Sequence, residues 1–462
     1  MFRRPLEFLK SLPAHGDLVE IRLGPLRAWV VCHPELVHEM LRDTRTFDKG
    51  GTQYDRLRLL MGDGVVTCPH AEHRRQRRLV GPAFRPSRVA GHTDLMAEEA
   101  EAVCRAWHAG QRVDVSAAMM AMTTRVISRV LFSGSLDATR SAEVRRCLAD
   151  VVRGLFVRTV VPLDGVFRLP TPANRRYRHA VARLHTIIDD LIAERRRGAA
   201  RDDLLGTLLE SARDDGGTMP PAGEREVHDQ MITLLLTGVE TTALCLASAF
   251  ALLARNPEAE RRLHAELDTV LAGRTLVAAD LPHLVHTRNV VTETLRHSPP
   301  GWLFTRVTTR DTRLAGHRLP RGSTVLYSPY LLQHDPASFP DPDRFLPDRW
   351  LPGRSAPGPR GAMVPFAAGG RKCLGDTFAM TEAIVAVAVI AGRWRLRRPP
   401  GPVERPRPAV TLGPRSLVMT CEPRACGTTV SPARADAPAH RGDGALRVPE
   451  ARTAGDHDVD DA

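Results

Sequence analysis

The sequence predicts a mainly α-helical fold with small β-sheets, and three observations carry that expectation. Between residues 85 and 215 the pattern is largely helical, over 88–109, 114–133, 141–159, 174–197 and 201–213. Two apolar runs, MITLLLTGVETTALCLASAFALLA (231–254) and FAMTEAIVAVAVIAG from Phe378, are hydrophobic on every face and read as buried helices. The two-residue alternation of half-buried strands is confined to short stretches near the ends.

Composition bounds what such a fold does. The chain has 462 residues, 43% hydrophobic and 26% charged, ordinary values for a globular protein. The formal charge of +12 comes mostly from arginine, yet aromatics are only 5%. Nucleic-acid binding calls for clustered basic residues with interleaved aromatics, so a basic docking face accounts better for the charge. The eight cysteines show neither disulfide nor zinc spacing. No signal peptide opens the chain, which points to the cytoplasm. The run 231–254 is long enough to cross a bilayer but carries Glu240 at its middle, so no membrane span is expected.

In chain order, residues 1–13 read as a helical piece. VEIRL (19–23) and RAWVVC (27–32) flank GPL as a hairpin, and HPELVHEMLR (33–42) reads as a helix. Residues 48–68 contain four glycines and are expected to be a mobile loop. HAEHRRQRRLVGPAF (70–84) follows as a helix with His73 and Arg77 four apart on one face. The apolar segment 155–172, broken by three prolines, is expected to be a flexible lid.

In the helix 226–254 the motif TGVETT (237–242) places Gly238 beside two threonines able to bond back to the preceding turn. Glu240 and Thr241 form an acid–alcohol pair suited to moving protons. The helix 256–272 links to 283–298, where Glu293 and Arg296, three apart, can form a bidentate pair. FLPDRW (345–350) offers Arg349 as a second partner. His297 has no evident purpose in the sequence. SPPGWLF (298–304) leads into strands over 303–331, with Trp302, Leu303 and Phe304 divided between core and pocket. A last pair of strands is expected at 408–420. The sequence thus divides into one domain over 1–422 and a disordered tail, 423–462, poor in apolar residues.

The chemistry centres on FAAGGRKCLG (366–375). Cys373 sits where a glycine turn hands over to a helix N-terminus, whose free N–H groups and positive dipole end favour a thiolate. The thiol should therefore be acidified and able to hold a metal. Gly369 and Gly375 let the backbone pass close to a flat object. Arg371 offers a permanent cation to a carboxylate, and Phe366 a dry cover for the sulfur.

Phe366-x-x-Gly369-x-Arg371-x-Cys373-x-Gly375 resembles the haem-binding loop of the cytochrome P-450 family, with all five positions filled. The acid–threonine, Glu-x-x-Arg and arginine motifs stand in the family's order, and the likeness spans residues 5–420. Thr237 departs from the small apolar residue usual at its place. The resemblance implies the cytochrome P-450 fold and a haem b whose iron takes the Cys373 thiolate. It implies propionate contacts from His73, Arg77, Arg306 and Arg371, and proton delivery by Glu240 and Thr241. Gly238, Trp302, Leu303 and Phe304 would border the substrate, while Glu293, Arg296 and Arg349 lock the region behind the loop.

The implied reaction is a monooxygenation, with one oxygen atom of O2 entering a C–H bond of a hydrophobic small molecule. No flavin or iron–sulfur segment is visible, so electrons from NAD(P)H would come through a separate ferredoxin and ferredoxin reductase, an acidic ferredoxin docking near Arg371 and Lys372. LPTPANRRY (169–177) resembles bacterial sesquiterpene oxidases of the pentalenene-oxygenase and albaflavenone-synthase kind, which points to a terpene of secondary metabolism ahead of macrolide or fatty acyl substrates. A peroxide-dependent or isomerising haem-thiolate enzyme is one rival reading, and a non-catalytic haem-binding sensor another.

Overall fold

The computed structural model describes residues 4–424 apart from 24–25, 134–135, 161–163, 199–202, 213–219, 354–357 and 400–407. Helices run over Thr93–Arg105, Val115–Phe132, Ala138–Val160, Pro172–Arg197 and Leu204–Ser211. Their starts are chemically marked: Asp114, Thr171 and Asp203 side chains accept from the N–H groups of Ala117, Asn174 and Gly206. Proline opens the helices at Pro172, Pro221 and Pro257, where its missing N–H costs nothing.

The helix Pro221–Leu253 runs through the middle of the core and packs along Val115–Phe132. Contact is close at Gly238, where a Cβ would stand 2.9 Å from the Ile127 Cδ1. These two are the described helices long and apolar enough to cross a membrane, but 61% and 78% of their apolar windows is buried inside the fold. Apolar character on every face here serves the core. The helix Asp376–Arg393 lies against Thr93–Arg105 and Pro221–Leu253, with Ile384 to Ala391 buried throughout.

Strands form three small sheets. β1 (Leu18–Leu23), β2 (Leu26–Val31), β3 (Phe47–Asp48), β5 (Phe304–Thr308) and β8 (Thr324–Tyr327) make a five-stranded sheet in the order β1-β2-β8-β5-β3. The three-stranded sheet orders β4 (Arg112–Asp114), β10 (Val418–Pro423) and β9 (Trp394–Arg397) as β4-β10-β9, and β6 (Thr312–Leu314) pairs with β7 (His317–Leu319). In the antiparallel register of β5 and β8, Arg306 stands opposite Val325 and Phe304 opposite Tyr327.

Several expectations need correction. Residues 48–68, read as a mobile loop, contain a helix, Thr52–Met61, that buries Tyr54, Leu60 and Met61. Glycines misled there because Gly51 and Gly62, both at positive φ, flank the helix instead of interrupting it. After β8 the chain turns into a short helix, Pro329–Gln333, capped by the Ser328 hydroxyl. β3 and β4, at two and three residues, are too short to show a period. Residue 422 does not end the ordered part: Pro423 pairs with Trp394, and the Arg424 N–H donates to the Arg393 carbonyl at 2.9 Å. The rest of the expected tail, 425–462, lies outside the described residues, as does part of the expected lid, 161–163. What is described of that lid is largely helical, and Arg158 is clasped between the rings of Phe167 and Tyr177 at 4.8 and 3.7 Å.

The structure also gives His297 a place. Its ring meets that of His334 edge-on at 5.6 Å, with His334 buried and His297 half-buried. Burial, then the adjacent Arg296, holds His297 down to about 4, and burial, then His297, holds His334 down to about 3. In the unfolded chain both bind protons near the ordinary histidine value. Their contribution to stability is therefore complete above about pH 6.5 and is lost as pH falls towards the folded values. Each adds a slope of up to about 1.4 kcal/mol per pH unit. Denaturant titrations from pH 7 to 4 should show a shallower loss in His297→Leu than in wild type. Parallel curves would mean that His297 titrates normally when folded.

Candidate haem-thiolate site

The loop before Cys373 is tightly determined. The Cys373 N–H donates to the Phe366 carbonyl at 2.9 Å, and the Lys372 N–H to the Gly369 carbonyl at 3.1 Å. Gly369 sits at φ +66°, and a Cβ there would lie 2.1 Å from the Leu41 carbonyl oxygen. No L side chain meets both conditions. Gly369→Ala should destabilise the fold by about 2–4 kcal/mol, from left-handed strain plus a backbone collision. Thermal melts would read this as a fall of several degrees; an unchanged melting temperature would show that the loop yields freely.

Cys373 is exposed, but to an interior cavity of about 390 Å³ that it borders together with Phe366, Gly375, Phe378 and Ala379. The expected acidification of the thiol is not met in the cofactor-free chain. Burial pushes the Cys373 pKa up, against a lowering contribution from the Gly375 N–H. Desolvation thus outweighs the helix end, and a cation placed in the cavity would be needed to reverse the balance.

Basic side chains gather at one end of this cavity: Lys49, Arg77, Arg306 and Arg371 border it together with the neutral His73. Arg306 is fully buried. Its Nη1 reaches only the Tyr54 hydroxyl at 3.4 Å and the Thr305 carbonyl at 2.9 Å, and its Nε has no partner. Among the described residues no carboxylate forms an ion pair with it. Arg371 is paired with Asp48 at 2.7 Å and the Cys68 carbonyl at 3.0 Å, yet its Nε also lacks a partner. Arg77 donates to the Lys372 carbonyl at 2.7 Å, tying its helix to the cysteine loop. Burial, then Arg306 and Arg371, brings Lys49 down to about 7, and burial, then Arg371, holds His73 at about 3. An unpaired buried guanidinium is expensive unless an anion meets it. A flat dianion with a thiolate-seeking metal, such as haem, fits this end of the cavity.

The opposite wall comes largely from the long helix, where Leu234, Thr237, Gly238, Thr241, Thr242 and Cys245 face the cavity. Thr237 and Thr241 donate back to the carbonyls of Thr233 and Thr237 at 2.7 and 2.8 Å, as their spacing suggests. Glu240 does not join them. On a helix it falls roughly 130° from the centre of that face. Its carboxylate instead accepts from the Thr411 hydroxyl at 3.0 Å and from Arg415 at 2.8 Å. Burial raises its pKa while Arg415 opposes the rise. The acid–alcohol pair is thus adjacent in sequence but divided between two faces.

Of the three residues read between core and pocket, only Phe304 borders the cavity, its ring stacked on Tyr327 at 5.3 Å. Trp302 is core, its indole N–H donating to the Ala409 carbonyl at 3.0 Å, and Leu303 packs against the same cluster. Arg371, expected on a docking surface, is buried, which leaves Lys372 outside and paired with Asp376. Lys49, Tyr54 and Tyr327 escaped the sequence reading. For Lys49 the one available signal was a lone cation in a glycine-rich stretch.

Behind the loop, Glu293 and Arg296 form a bidentate pair at 2.8 and 2.9 Å with both side chains fully buried. Arg296 also donates to the carbonyls of Gln333, Pro342 and Arg344. Glu293 accepts from Arg349 at 3.2 Å and from the Trp350 indole at 3.0 Å. Every charged atom of the pair finds a partner.

A mainly helical fold that holds a loop cysteine over an apolar cavity, with unpaired cations at one end, defines the haem-thiolate class of protein. The sequence model of the family described as Cytochrome P450 matches residues 5–420. The chain belongs to the cytochrome P450 family, and it is a monooxygenase of that family. It is 49% identical to the cyclooctatin synthase of Streptomyces melanosporofaciens, over 92% of each chain. It is 48% identical to the cyclooctat-9-en-7-ol 5-monooxygenase of the same organism, again over 92% of each. Identity to the pentalenene oxygenase of Streptomyces avermitilis is 44%, over 92% of this chain and 95% of that one. The solved heme domain of cytochrome P450DA superposes with a TM-score of 0.81 at 26% identity, covering 92% and 94%.

Proposed function

We propose that this chain oxidises a polycyclic terpene of secondary metabolism, placing one oxygen atom of O2 in a C–H bond while the other leaves as water. The single observation that carries this reading is the apolar cavity bordered by Cys373 in a chain 44–49% identical to enzymes named for terpene oxidation. In this reading Cys373 holds the iron of haem b, and Arg306, Arg77, His73 and Lys49 meet its carboxylates, with Arg371 held beside them by Asp48. Bound there, the haem supplies the activation of O2.

The chain's own residues then do four things. Leu234, Ile127 and Phe304 exclude water and orient a hydrophobic substrate. The Gly375 N–H steadies the sulfur's charge. Thr241, its own proton bonded to the Thr237 carbonyl, presents acceptor lone pairs that hold a proton-carrying water in the cavity. Glu240, on the helix's other face, accepts from Arg415 and Thr411 and anchors the helix there, so its part in proton supply is indirect. Two electrons come from NAD(P)H through a ferredoxin and its reductase in the cytoplasm. The test is reconstitution with NAD(P)H and those partners against peroxide alone, scored by terpene products heavier by one oxygen. Equal turnover with peroxide would favour the peroxide-dependent reading.

A further inference from the structure

Three of the four threonines that border the cavity have already committed their hydroxyl protons. Thr237 donates to the Thr233 carbonyl at 2.7 Å, Thr241 to the Thr237 carbonyl at 2.8 Å, and Thr207 to the Asp203 carbonyl at 3.1 Å. A hydroxyl carries one donor and two acceptor positions, so each of these offers the cavity lone pairs only. The one carboxylate bordering this wall, Asp203, is fully engaged. It accepts from Arg195, from the Ser133 hydroxyl at 2.6 Å and from the Gly206 N–H at 2.8 Å. The rest of this wall is mainly aliphatic, with Val65, Ile127, Leu131, Leu204 and Leu234.

A bare hydrocarbon filling such a space would leave the acceptor positions of Thr237 and Thr207 dry and unpaired, at a cost that a donor group on the ligand removes. Thr241 has its own task in proton transfer. Thr237 is the acceptor added by this sequence, at a place where a small apolar residue would offer none.

We infer that the substrate arrives already carrying a hydroxyl group, which donates to Thr237, with Thr207 as a second acceptor. This rests on the terpene reading above and narrows it to terpene alcohols. The reaction that supplies the substrate must then leave an alcohol. It is either an earlier oxygenation of a C–H bond or a cyclisation whose last carbocation is captured by water with loss of a proton. Thr237 and Thr207 are positioning residues, since they act on a part of the substrate remote from the reacting C–H bond.

The test uses haem-loaded enzyme and matched pairs on one skeleton, α-cedrene with cedrol and ent-kaurene with ent-kauran-16-ol. Binding is read by optical titration and by equilibrium dialysis. In wild type the alcohol of a bound pair should bind about tenfold tighter, the worth of one well-made hydrogen bond in a dry site. Thr237→Val keeps the shape and removes the acceptor, so it should abolish the preference while hydrocarbon affinity holds or rises. Thr237→Ser should restore the preference. A hydrocarbon bound as tightly as its alcohol, or a preference that survives Thr237→Val, overturns the inference and leaves the terpene reading standing. Binding of neither member of either pair, with fatty acids bound instead, overturns both.

Discussion

Cys373→Ala is expected to lose the red-shifted absorption band of the reduced, CO-bound protein entirely and to lower monooxygenase turnover by more than about a thousandfold. Among the described residues, the cavity end where Cys373 sits offers no second sulfur in reach of the same spot. Cys68 lies behind Arg371, and Cys245 is buried on the far wall at a pKa pushed up to about 12. In the proposed site, loss of the thiolate would remove the ligand that tunes the haem for oxygen activation, and a thousandfold is a rise of about 4 kcal/mol in the barrier. The shared cation end should still bind the macrocycle, so the variant should stay coloured but with an altered spectrum. A wild-type band in the alanine variant would show that another side chain holds the iron.

Arg296→Ala should be the most damaging change for the fold. It leaves the fully buried Glu293 with only Arg349 to balance its charge, and it frees the carbonyls of Gln333, Pro342 and Arg344, which Arg296 now gathers. Breaking a buried pair from one side costs about 3–5 kcal/mol. That is a large part of the total stability of a typical domain. Arg296→Lys should rescue little, because an ammonium cannot reproduce the planar fork that binds Glu293 at two points while reaching three carbonyls. Denaturation midpoints of both variants, together with the double variant Glu293→Gln/Arg296→Met, provide the check. Stability should recover partly in the double variant, since no fully buried carboxylate remains; a single variant as stable as wild type would mean that water reaches the pair.

The sequence was most legible where chemistry is local. Glu293 and Arg296 meet because they are three apart on a helix, and Thr237 and Thr241 bond backwards because they follow a four-residue spacing. Gly369 had to be glycine for a local reason, its positive φ, and for a distant one, the Leu41 carbonyl. Legibility failed where a neighbour in sequence is not a neighbour on the surface. Glu240 and Thr241 are consecutive, yet the helix turns 100° per residue and sends the carboxylate to Arg415. Trp302, Leu303 and Phe304 divide for a similar reason, as the chain enters β5 and only Phe304 reaches the cavity.

By itself the sequence determined the family, the cysteine loop and the ion pair behind it. Those motifs are short, and their geometry is set by a glycine turn or one helical turn. The tertiary structure alone decided which cations border the cavity and what the acid beside Thr241 is bonded to. Lys49 and Arg306 come together from segments about 250 residues apart, and Glu240 meets a partner 175 residues on. Such meetings depend on how sheet and helices pack, which no local spacing records, because burial energy is set by the partners a side chain finds and not by its neighbours along the chain.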